Sequence, residues 1–505
     1  MVSGYCDERF LDAKEILEKS IDSGFELGCA ISLEVKGEKV IDLWGGYVDT
    51  DKTKLWEEDT IVNVFSTTKG VAAICLLQLI EKGLLDLDKP VSHYWPEFAE
   101  NGKENIPVRY LFCHKSGLCG IRNPLEPGSF TNWDLICNEL AKQEPLWEPG
   151  TAHGYHALTY GHLVGEMLRR IDGRTIGEYF NEEIAKPLDL DFWIGLPESE
   201  FSRVTNIYPS KPNPLLPLLA KLPRFLLPGP MKFLLDFTDT NKPVGAAFNN
   251  PPVNSNENNE FEANSKEWRK AEIPAANGHG TARSLAKLYG VLANGGSRDG
   301  VHVLSPDTIE LGRQTQSDGK DLVLGHMHTR FGIGFMLGTK NVSMGPNPES
   351  FGHGGAGGSL GFALAGDYRI ASESAKILSA HFKRGFVPAG GATYILPRLI
   401  GLGKTQALFF GGKTLNSEEM LEWGLVHEVV SDDELKQRTM EMAKQIAAGP
   451  KTALAETKKL LLESEGLSLD EELRREREKN RDSGNSGDAV EGIKAFLEKR
   501  EPKFE

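Results

Sequence analysis

The chain has 505 residues, of which 40% are hydrophobic and 26% charged, and its formal net charge is −15 at pH 7. This length predicts two domains, and this composition is that of a globular protein rather than a disordered or fibrous one. The acidic balance, without any basic run, argues against nucleic acid or an anionic membrane surface as partner and favours small-molecule ligands.

The first thirty residues place charged side chains among apolar positions at helical spacing, which predicts an amphipathic helix rather than a signal peptide. Residues 29–47 alternate apolar and polar side chains around Gly37-Glu38, the pattern of a β-hairpin. Residues 70–80 predict a buried helix that ends before Gly83. The most apolar stretch, 215–237, is interrupted by prolines and charges, so we expect no membrane span.

The six cysteines show no spacing typical of a metal site. We therefore expect free thiols in a reducing compartment, and with no export signal we expect a cytoplasmic protein. The cysteines are Cys6, Cys29, Cys75, Cys113, Cys119 and Cys137.

A candidate nucleophile stands at the start of the predicted buried helix, in Ser66-Thr67-Thr68-Lys69. A spacing of three on a helical turn places Ser66 and Lys69 on one face, so their polar ends can meet. The free N–H groups and the positive dipole of the helix start favour an anion forming beside Ser66. Alone, this pattern also fits a helix-capping serine followed by a surface lysine.

Further motifs follow in order. They are Phe65-Ser66-Thr67-Thr68-Lys69-Gly70, Leu84-Leu85-Asp86-Leu87-Asp88-Lys89-Pro90, Leu111-Phe112-Cys113-His114-Lys115-Ser116-Gly117-Leu118, Glu148-Pro149-Gly150 with Gly154-Tyr155-His156-Ala157, and His353-Gly354-Gly355. Together they resemble the serine β-lactamase, penicillin-binding-protein and carboxylesterase superfamily of the class C type, over about residues 10–365. The resemblance implies an α/β (α+β) fold in which an antiparallel sheet packs on a helical region, with the nucleophile between them.

The resemblance also implies roles for the motif residues. Ser66 is the expected nucleophile, and Lys69 and Tyr155 its proton-handling partners. We expect the Lys69 ammonium to lower the pKa of the buried Tyr155 phenol, so that the phenol acts as general base. No metal or organic cofactor is implied.

The His353-Gly354-Gly355 motif implies which residues form the substrate side of the site. His353 is expected to offer a hydrogen-bond donor or a positive charge to the substrate, and Gly355 to allow close approach of the backbone. The N–H groups of Ser66 and Ala356 are the expected oxyanion hole. Penicillin-recognising members usually carry asparagine at the position of Ala157, so we expect an esterase rather than a β-lactamase.

From about residue 357 to the end, the chain resembles the C-terminal half of an enoyl-CoA hydratase/isomerase (crotonase-type) protein. The motifs include Gly366-Asp367-Tyr368-Arg369, Val387-Pro388-Ala389-Gly390-Gly391 and Glu422-Trp423-Gly424-Leu425-Val426. Residues 355–363 fit either family, which places the junction there. We expect a hydrolase domain at 1–365, lacking the last strands and helix of its family, and a partial crotonase-like domain at 366–505.

The crotonase-like region lacks the groups needed for hydration, because Gly361 and His381 stand where the two glutamates of a hydratase would align. We expect it to serve structure or self-association through its C-terminal helices. The predicted function of the whole is a serine hydrolase acting on a small-molecule ester or amide. Two alternatives remain open, a non-catalytic binding or assembly protein and an acyl-CoA enzyme using the C-terminal region.

Overall fold

The structure is a computed structural model. It describes residues 2–22, 24, 26–208, 236–237, 239–251, 261–339, 344, 347, 349–355, 369–378, 392–411, 413–464 and 467–504. The described residues form two compact units, one ending at Gly355 and one beginning at Arg369. Within the described part of the chain, no helix is both long and apolar enough to cross a membrane.

The first unit mixes helices with three small antiparallel sheets and a short hairpin. Its helices are α1 Leu11–Asp22, α2 Thr68–Glu81, α3 Val91–Tyr94, α4 Arg109–Phe112, α5 Trp133–Lys142, α6 Thr159–Asp172, α7 Ile176–Phe180, α8 Pro243–Phe248, α9 Lys266–Lys270, α10 Ala282–Ala293 and α11 Pro306–Arg313. Its strands are β1 Val2–Cys6, β2 Gly28–Val35, β3 Glu38–Gly46, β4 Val62–Asn63, β5 Phe192–Trp193, β6 His279–Gly280, β7 Ser297–Arg298, β8 Val301–His302, β9 Ser317–Lys320, β10 His328–Phe331, β11 Met336–Leu337 and β12 Phe351–Gly352.

The N-terminal sheet has the order β1-β3-β2, and α10 packs against β2. The predicted hairpin is confirmed, but its turn is Lys36-Gly37, one residue earlier than expected, with φ of 53° and 81°. Two positive φ angles are typical of the tight turn whose twist matches the paired strands. The N-terminal prediction was incomplete, because strand β1 precedes helix α1 and pairs with β3.

Helix α2 lies at the centre of the unit, and all its residues from Thr68 to Leu79 are buried. Apolar residues on every face are typical of a helix enclosed by other elements. Helices α6, α7 and α11 pack on it. The predicted end is also confirmed, since the chain leaves the helix through Gly83 at a φ of 69°.

The second unit consists mainly of helices. They are α12 Ala392–Gly411, α13 Ser417–Trp423, α14 Leu435–Ala447, α15 Lys451–Glu463, α16 Leu469–Gly484 and α17 Gly487–Glu498. Strand β13 Ile370–Ser372 pairs in parallel with β16 Glu428–Val430, and β14 Lys376–Leu378 pairs with β15 Thr414–Asn416. The junction at 356–368 and the positions of Gly361 and His381 lie outside the described residues.

All six cysteines have free thiols, as predicted, and four of them are buried in the first unit. Burial raises the pKa of the Cys29 and Cys113 thiols to about 12. These thiols therefore stay protonated at neutral pH and behave as small apolar groups.

Candidate active site

Ser66 lies in a tight turn between β4 and α2. The preceding residue, Phe65, has a φ of 44°, which places a bulky residue in the left-handed region. Thr68 holds the turn, because its hydroxyl donates to the Phe65 carbonyl at 2.6 Å and accepts from the Gly278 N–H at 2.8 Å. Ser66 itself is only partly buried, so a ligand can reach its hydroxyl.

Lys69 is completely buried and meets three oxygen atoms. Its Nζ lies 3.2 Å from Ser66 Oγ, 2.7 Å from the Ala157 carbonyl oxygen and 2.9 Å from the Ala275 carbonyl oxygen. Carbonyl oxygens only accept, so two N–H bonds of Lys69 are committed to them. Burial lowers the pKa of Lys69 well below its usual value. In the neutral amine, the remaining lone pair faces the Ser66 hydroxyl.

Tyr155 is buried beside these two residues. Its ring stacks on Phe331 with a centroid distance of 6.2 Å and on His353 with a centroid distance of 6.0 Å. Lys69 Nζ lies 4.8 Å from the centroid of the Tyr155 ring. Burial raises the pKa of Tyr155 strongly, and the hydrogen bond with Ser66 offsets only part of this effect.

The expectation that Lys69 lowers the Tyr155 pKa is therefore wrong. Moving a phenolate out of water costs more free energy than its attraction to a neighbouring amine regains, particularly when burial also favours the neutral form of that amine. The electrostatics favour a neutral amine at Lys69 and a neutral phenol at Tyr155.

His353 follows strand β12 and is buried against Tyr155. Burial is the largest cause that lowers the pKa of His353, to about 3. Of the two expected alternatives, a hydrogen-bond donor and a positive charge, this shift disfavours the positive charge. Nδ1 lies 2.9 Å from the Gly354 carbonyl oxygen and so carries the proton, while Nε2 is buried with no hydrogen-bond partner among the residues that the structure describes. This ring offers its Nε2 as an acceptor.

Gly355 lies against the turn that carries the nucleophile. A Cβ at this position would be 2.5 Å from the Val64 carbonyl oxygen and 3.2 Å from Thr67 Oγ1. Only glycine allows this close approach of the backbone to the turn. Ala356, the expected second oxyanion donor, lies outside the described residues.

Two residues that the motifs did not single out surround Tyr155. His114 lies with its ring centroid 5.1 Å from that of Tyr155. Asp321 is completely buried and accepts a hydrogen bond from the Tyr155 N–H at 3.1 Å. His114 belongs to a recognised motif, whereas no local pattern marks Asp321.

Comparison with known proteins assigns this chain to a family. Residues 14–371 match the family model described as Beta-lactamase. The chain belongs to the β-lactamase family. It is 33% identical over 371 residues to the esterase/beta-lactamase LipL of Mycobacterium tuberculosis, a match that covers 72% of this chain and 80% of LipL.

Solved structures agree with this assignment. A penicillin-binding protein homologue from Caulobacter crescentus is 37% identical, with a TM-score of 0.60 over 71% of this chain and 89% of that one. A family VIII carboxylesterase is 36% identical, with a TM-score of 0.61 and the same coverages. The predicted class, a β-lactamase-related serine hydrolase of the esterase type, is confirmed by these relatives.

The second resemblance is confirmed as well. Residues 351–505 match the enoyl-CoA hydratase/isomerase model, and this match overlaps the first one at the stretch that fits either family. The 1,2-epoxyphenylacetyl-CoA isomerase of Escherichia coli is 39% identical over 150 residues, which is 30% of this chain and 56% of that enzyme. The chain therefore spans little more than half the length of this crotonase relative.

Proposed function

We propose that the β-lactamase-like unit hydrolyses small carboxylic esters through an acyl-enzyme on Ser66. The observation that carries this proposal is the environment of Lys69 Nζ, where two main-chain carbonyls take two N–H bonds and leave the lone pair for the Ser66 hydroxyl, 3.2 Å away. A buried amine with a lowered pKa is a suitable general base at neutral pH.

In the proposed acylation, Ser66 Oγ attacks the ester carbonyl carbon while its proton passes to Lys69 Nζ. The N–H groups of Ser66 and Ala356 stabilise the oxyanion that forms. When the intermediate collapses, the Tyr155 phenol gives its proton to the departing alkoxide and is reprotonated from the Lys69 ammonium. Water then attacks the carbonyl carbon of the acyl-enzyme, and its proton passes through Tyr155 to Lys69. Lys69 returns a proton to Ser66 Oγ, which releases the acid and restores Ser66.

His353 and Gly355 are proposed to form the other wall of the site. Gly355 approaches the nucleophile turn closely, and the unpartnered Nε2 of His353 is buried beside Tyr155. A neutral imidazole acceptor suits a hydroxyl or amide N–H of a substrate better than a carboxylate. This favours neutral esters over substrates with a free acid next to the scissile bond.

A local feature favours esters over β-lactams. The Ala157 side chain is buried in an apolar cluster with Cys113, Cys119, Val323 and Phe331. Its place therefore offers no amide to hold the side chain of a lactam substrate. Among the relatives, one is described as a family VIII carboxylesterase and one as an esterase/beta-lactamase.

A fluorophosphonate probe tests this proposal directly. Covalent labelling requires an activated serine and an assembled oxyanion hole, so we expect label on the peptide that contains Ser66. The Ser66→Ala variant should lose both the label and the hydrolysis of p-nitrophenyl butyrate. Esterase activity that persists fully in Ser66→Ala would show that another nucleophile is responsible.

We propose a domain boundary near residues 365 and 366, with 366–505 serving assembly rather than a second reaction. The last helix, α17, exposes a row of large apolar side chains with 62% to 82% of their surface open, namely Val490, Ile493, Phe496 and Leu497. Such a patch is typical of an interaction surface. Sedimentation of the full chain should show self-association that Phe496→Glu weakens, and a monomeric wild-type protein would reject this part of the proposal.

We also propose that the protein is located in the cytoplasm. Six free thiols, four of them buried, are consistent with a reducing compartment such as the cytoplasm. Fractionation of the source cells with an antibody against the full chain would test it.

A further inference from the structure

The peptide that carries Tyr155 is held from two sides by hydrogen bonds. The Gly154 N–H donates to the His114 carbonyl oxygen at 3.1 Å, and the His156 N–H donates to His114 Nδ1 at 3.1 Å. On the opposite side, the Tyr155 N–H donates to Asp321 Oδ1 at 3.1 Å. Three successive N–H groups are therefore fixed, one of them by a side-chain carboxylate that is 166 residues away in the sequence.

Asp321 is completely buried, and its hydrogen-bond partners in the described part of the chain include no cation. Oδ1 also accepts from the N–H groups of Val323 at 2.8 Å and Leu324 at 2.9 Å, while Oδ2 accepts from the Thr329 hydroxyl at 3.2 Å. Burying a carboxylate without a cation is costly, and only several well-placed donors offset that cost. The donor at Tyr155 is the one that connects this cluster to the candidate site.

The main chain around Asp321 keeps the carboxylate in a defined place. The Asp321 N–H donates to the Met327 carbonyl at 2.9 Å, and the His326 N–H donates to the Asp321 carbonyl at 2.9 Å, closing a small loop. The Leu322 N–H donates to the His153 carbonyl at 3.1 Å, beside the isolated parallel bridge between His153 and Asp321. The loop and the Tyr155 peptide are thus joined at two adjacent points.

We propose that Asp321 is a positioning residue for acyl transfer, fixing the segment that supplies both the Tyr155 phenol and the Ala157 carbonyl. The second group matters because the Ala157 carbonyl oxygen, two residues further on, accepts from Lys69 Nζ at 2.7 Å. A displacement of this segment would move the phenol away from Ser66 and release one of the two N–H bonds that orient the Lys69 lone pair. This inference rests on the proposed function.

A purely structural role of Asp321 predicts a different experimental result. In that case the carboxylate only closes its own turn, through Val323 and Leu324, and its loss lowers stability without a specific effect on turnover. Positioning instead predicts a loss in kcat with little change in KM, because misplaced reacting groups affect the transition state more than ground-state binding. It also predicts that restoring the oxygen restores the rate.

Three variants of the full chain separate these roles. Asp321→Ala removes the acceptor, and we expect kcat for ethyl butyrate to fall on the order of a hundredfold with KM changed less than about threefold. Asp321→Asn keeps an oxygen for the Tyr155 N–H, and we expect kcat within about threefold of wild type. Asp321→Glu keeps the charge but displaces it by one methylene, and we expect a loss of about tenfold or more.

Ser317→Ala is the matched control. The Ser317 hydroxyl is buried in the neighbouring strand β9 and donates to the Cys113 carbonyl at 2.9 Å, and among the described residues no hydrogen bond joins it to Tyr155. Its loss should lower stability and leave kcat unchanged. If Asp321→Ala does not fold, the comparison of Asp321→Asn with Asp321→Glu still decides the matter, because kcat is measured per folded molecule and a role in stability alone leaves it unchanged in both variants.

The outcomes also separate this inference from the proposed function. Wild-type protein that is not labelled by fluorophosphonate at Ser66 overturns the proposed function itself. Labelled and active wild type, with Asp321→Ala or Asp321→Glu at wild-type kcat, overturns only the role of Asp321. Asp321→Asn as impaired as Asp321→Glu also overturns it, because the oxygen at Tyr155 would then not be the feature that matters.

Discussion

Lys69 Nζ lies 3.2 Å from Ser66 Oγ, and its two other hydrogen-bond partners are main-chain carbonyl oxygens that can only accept. A neutral amine gives its two N–H bonds to the two carbonyl oxygens and directs its lone pair at the serine. The ammonium formed by proton transfer gives its third N–H bond to Ser66 Oγ. The site thus holds both states of Lys69 without moving a heavy atom. Such preorganisation is what a general base requires.

Lys69→Arg should lower kcat for p-nitrophenyl butyrate on the order of a hundredfold or more, the size expected for loss of a general base. Arginine keeps a positive charge but has no lone pair at any accessible pH. Lys103→Arg is the control, because Lys103 is another completely buried lysine and donates to the main-chain carbonyls of Glu100 and Gln143. Wild-type kcat in Lys69→Arg would show that a fixed charge is sufficient.

Tyr155→Phe should affect alkyl esters more than p-nitrophenyl esters. A neutral phenol with a raised pKa suits proton donation to a strongly basic alkoxide, whereas p-nitrophenolate leaves without a proton. We expect kcat for ethyl butyrate to fall on the order of a hundredfold, with a smaller loss for p-nitrophenyl butyrate. Tyr160→Phe is the control, since the buried Tyr160 hydroxyl has no hydrogen-bond partner within the described ranges. Equal losses of kcat on the two esters would indicate that Tyr155 acts as the general base.

The sequence predicts the local elements of this site but not the ionisation states of its residues. The helix carrying Lys69 was predicted because its apolar residues and stop signal are local, and the hairpin was predicted from alternation around Gly37. The ionisation states of Tyr155 and His353 depend on burial by distant segments, which no local pattern reports. The contact of Asp321 with Tyr155 spans 166 residues, and an aspartate in a loop carries no signal of its partner.

Strand β1 was missed for a related reason. Val2–Cys6 has an exposed centre and only partly buried ends, so it lacks the alternation typical of a half-buried strand. Its conformation is set by pairing with β3, from Val2 opposite Gly45 to Cys6 opposite Ile41. Tertiary pairing thus determines an element that local propensity leaves open.

Acid should destabilise the first unit through buried neutral histidines. Burial lowers the pKa of His162 and His279 to about 4, and that of His156 and His353 to about 3. The unfolded chain binds these protons near pH 6.5 and the folded chain does not, so stability is present above pH 6.5 and falls as the pH drops towards the folded values. The expected slope is on the order of 1.4 kcal/mol per pH unit for each histidine.

Urea unfolding between pH 5 and 7, followed by tryptophan fluorescence, measures this slope. His162→Leu removes one of the titrating groups away from the site and should reduce the linked uptake by about one proton. Its ring packs between Phe130 and Trp133, so leucine preserves the apolar contact. A free energy of unfolding that is constant over this range would contradict the assignment of neutral buried histidines.

Nitrocefin should be hydrolysed far more slowly than p-nitrophenyl butyrate. Ala157 offers no amide for a lactam side chain, and its methyl group is enclosed with Cys113, Cys119 and Val323. For the same reason, Ala157→Asn should lower stability rather than create a β-lactamase, because the new amide would be buried without partners. A ratio of kcat/KM near one for the two substrates would reject the preference for esters.

The full chain should not hydrate crotonyl-CoA. A hydratase positions water with two carboxylates, and Gly361 and His381 stand at the aligned positions. The match to the crotonase family begins only at residue 351, and the chain spans 56% of the Escherichia coli relative. Because Ser66 could cleave the thioester and mimic hydration by removing substrate, the assay requires Ser66→Ala, with a thiol reagent to detect released coenzyme A. Conversion of crotonyl-CoA to 3-hydroxybutyryl-CoA by this variant would assign a second activity to the C-terminal unit.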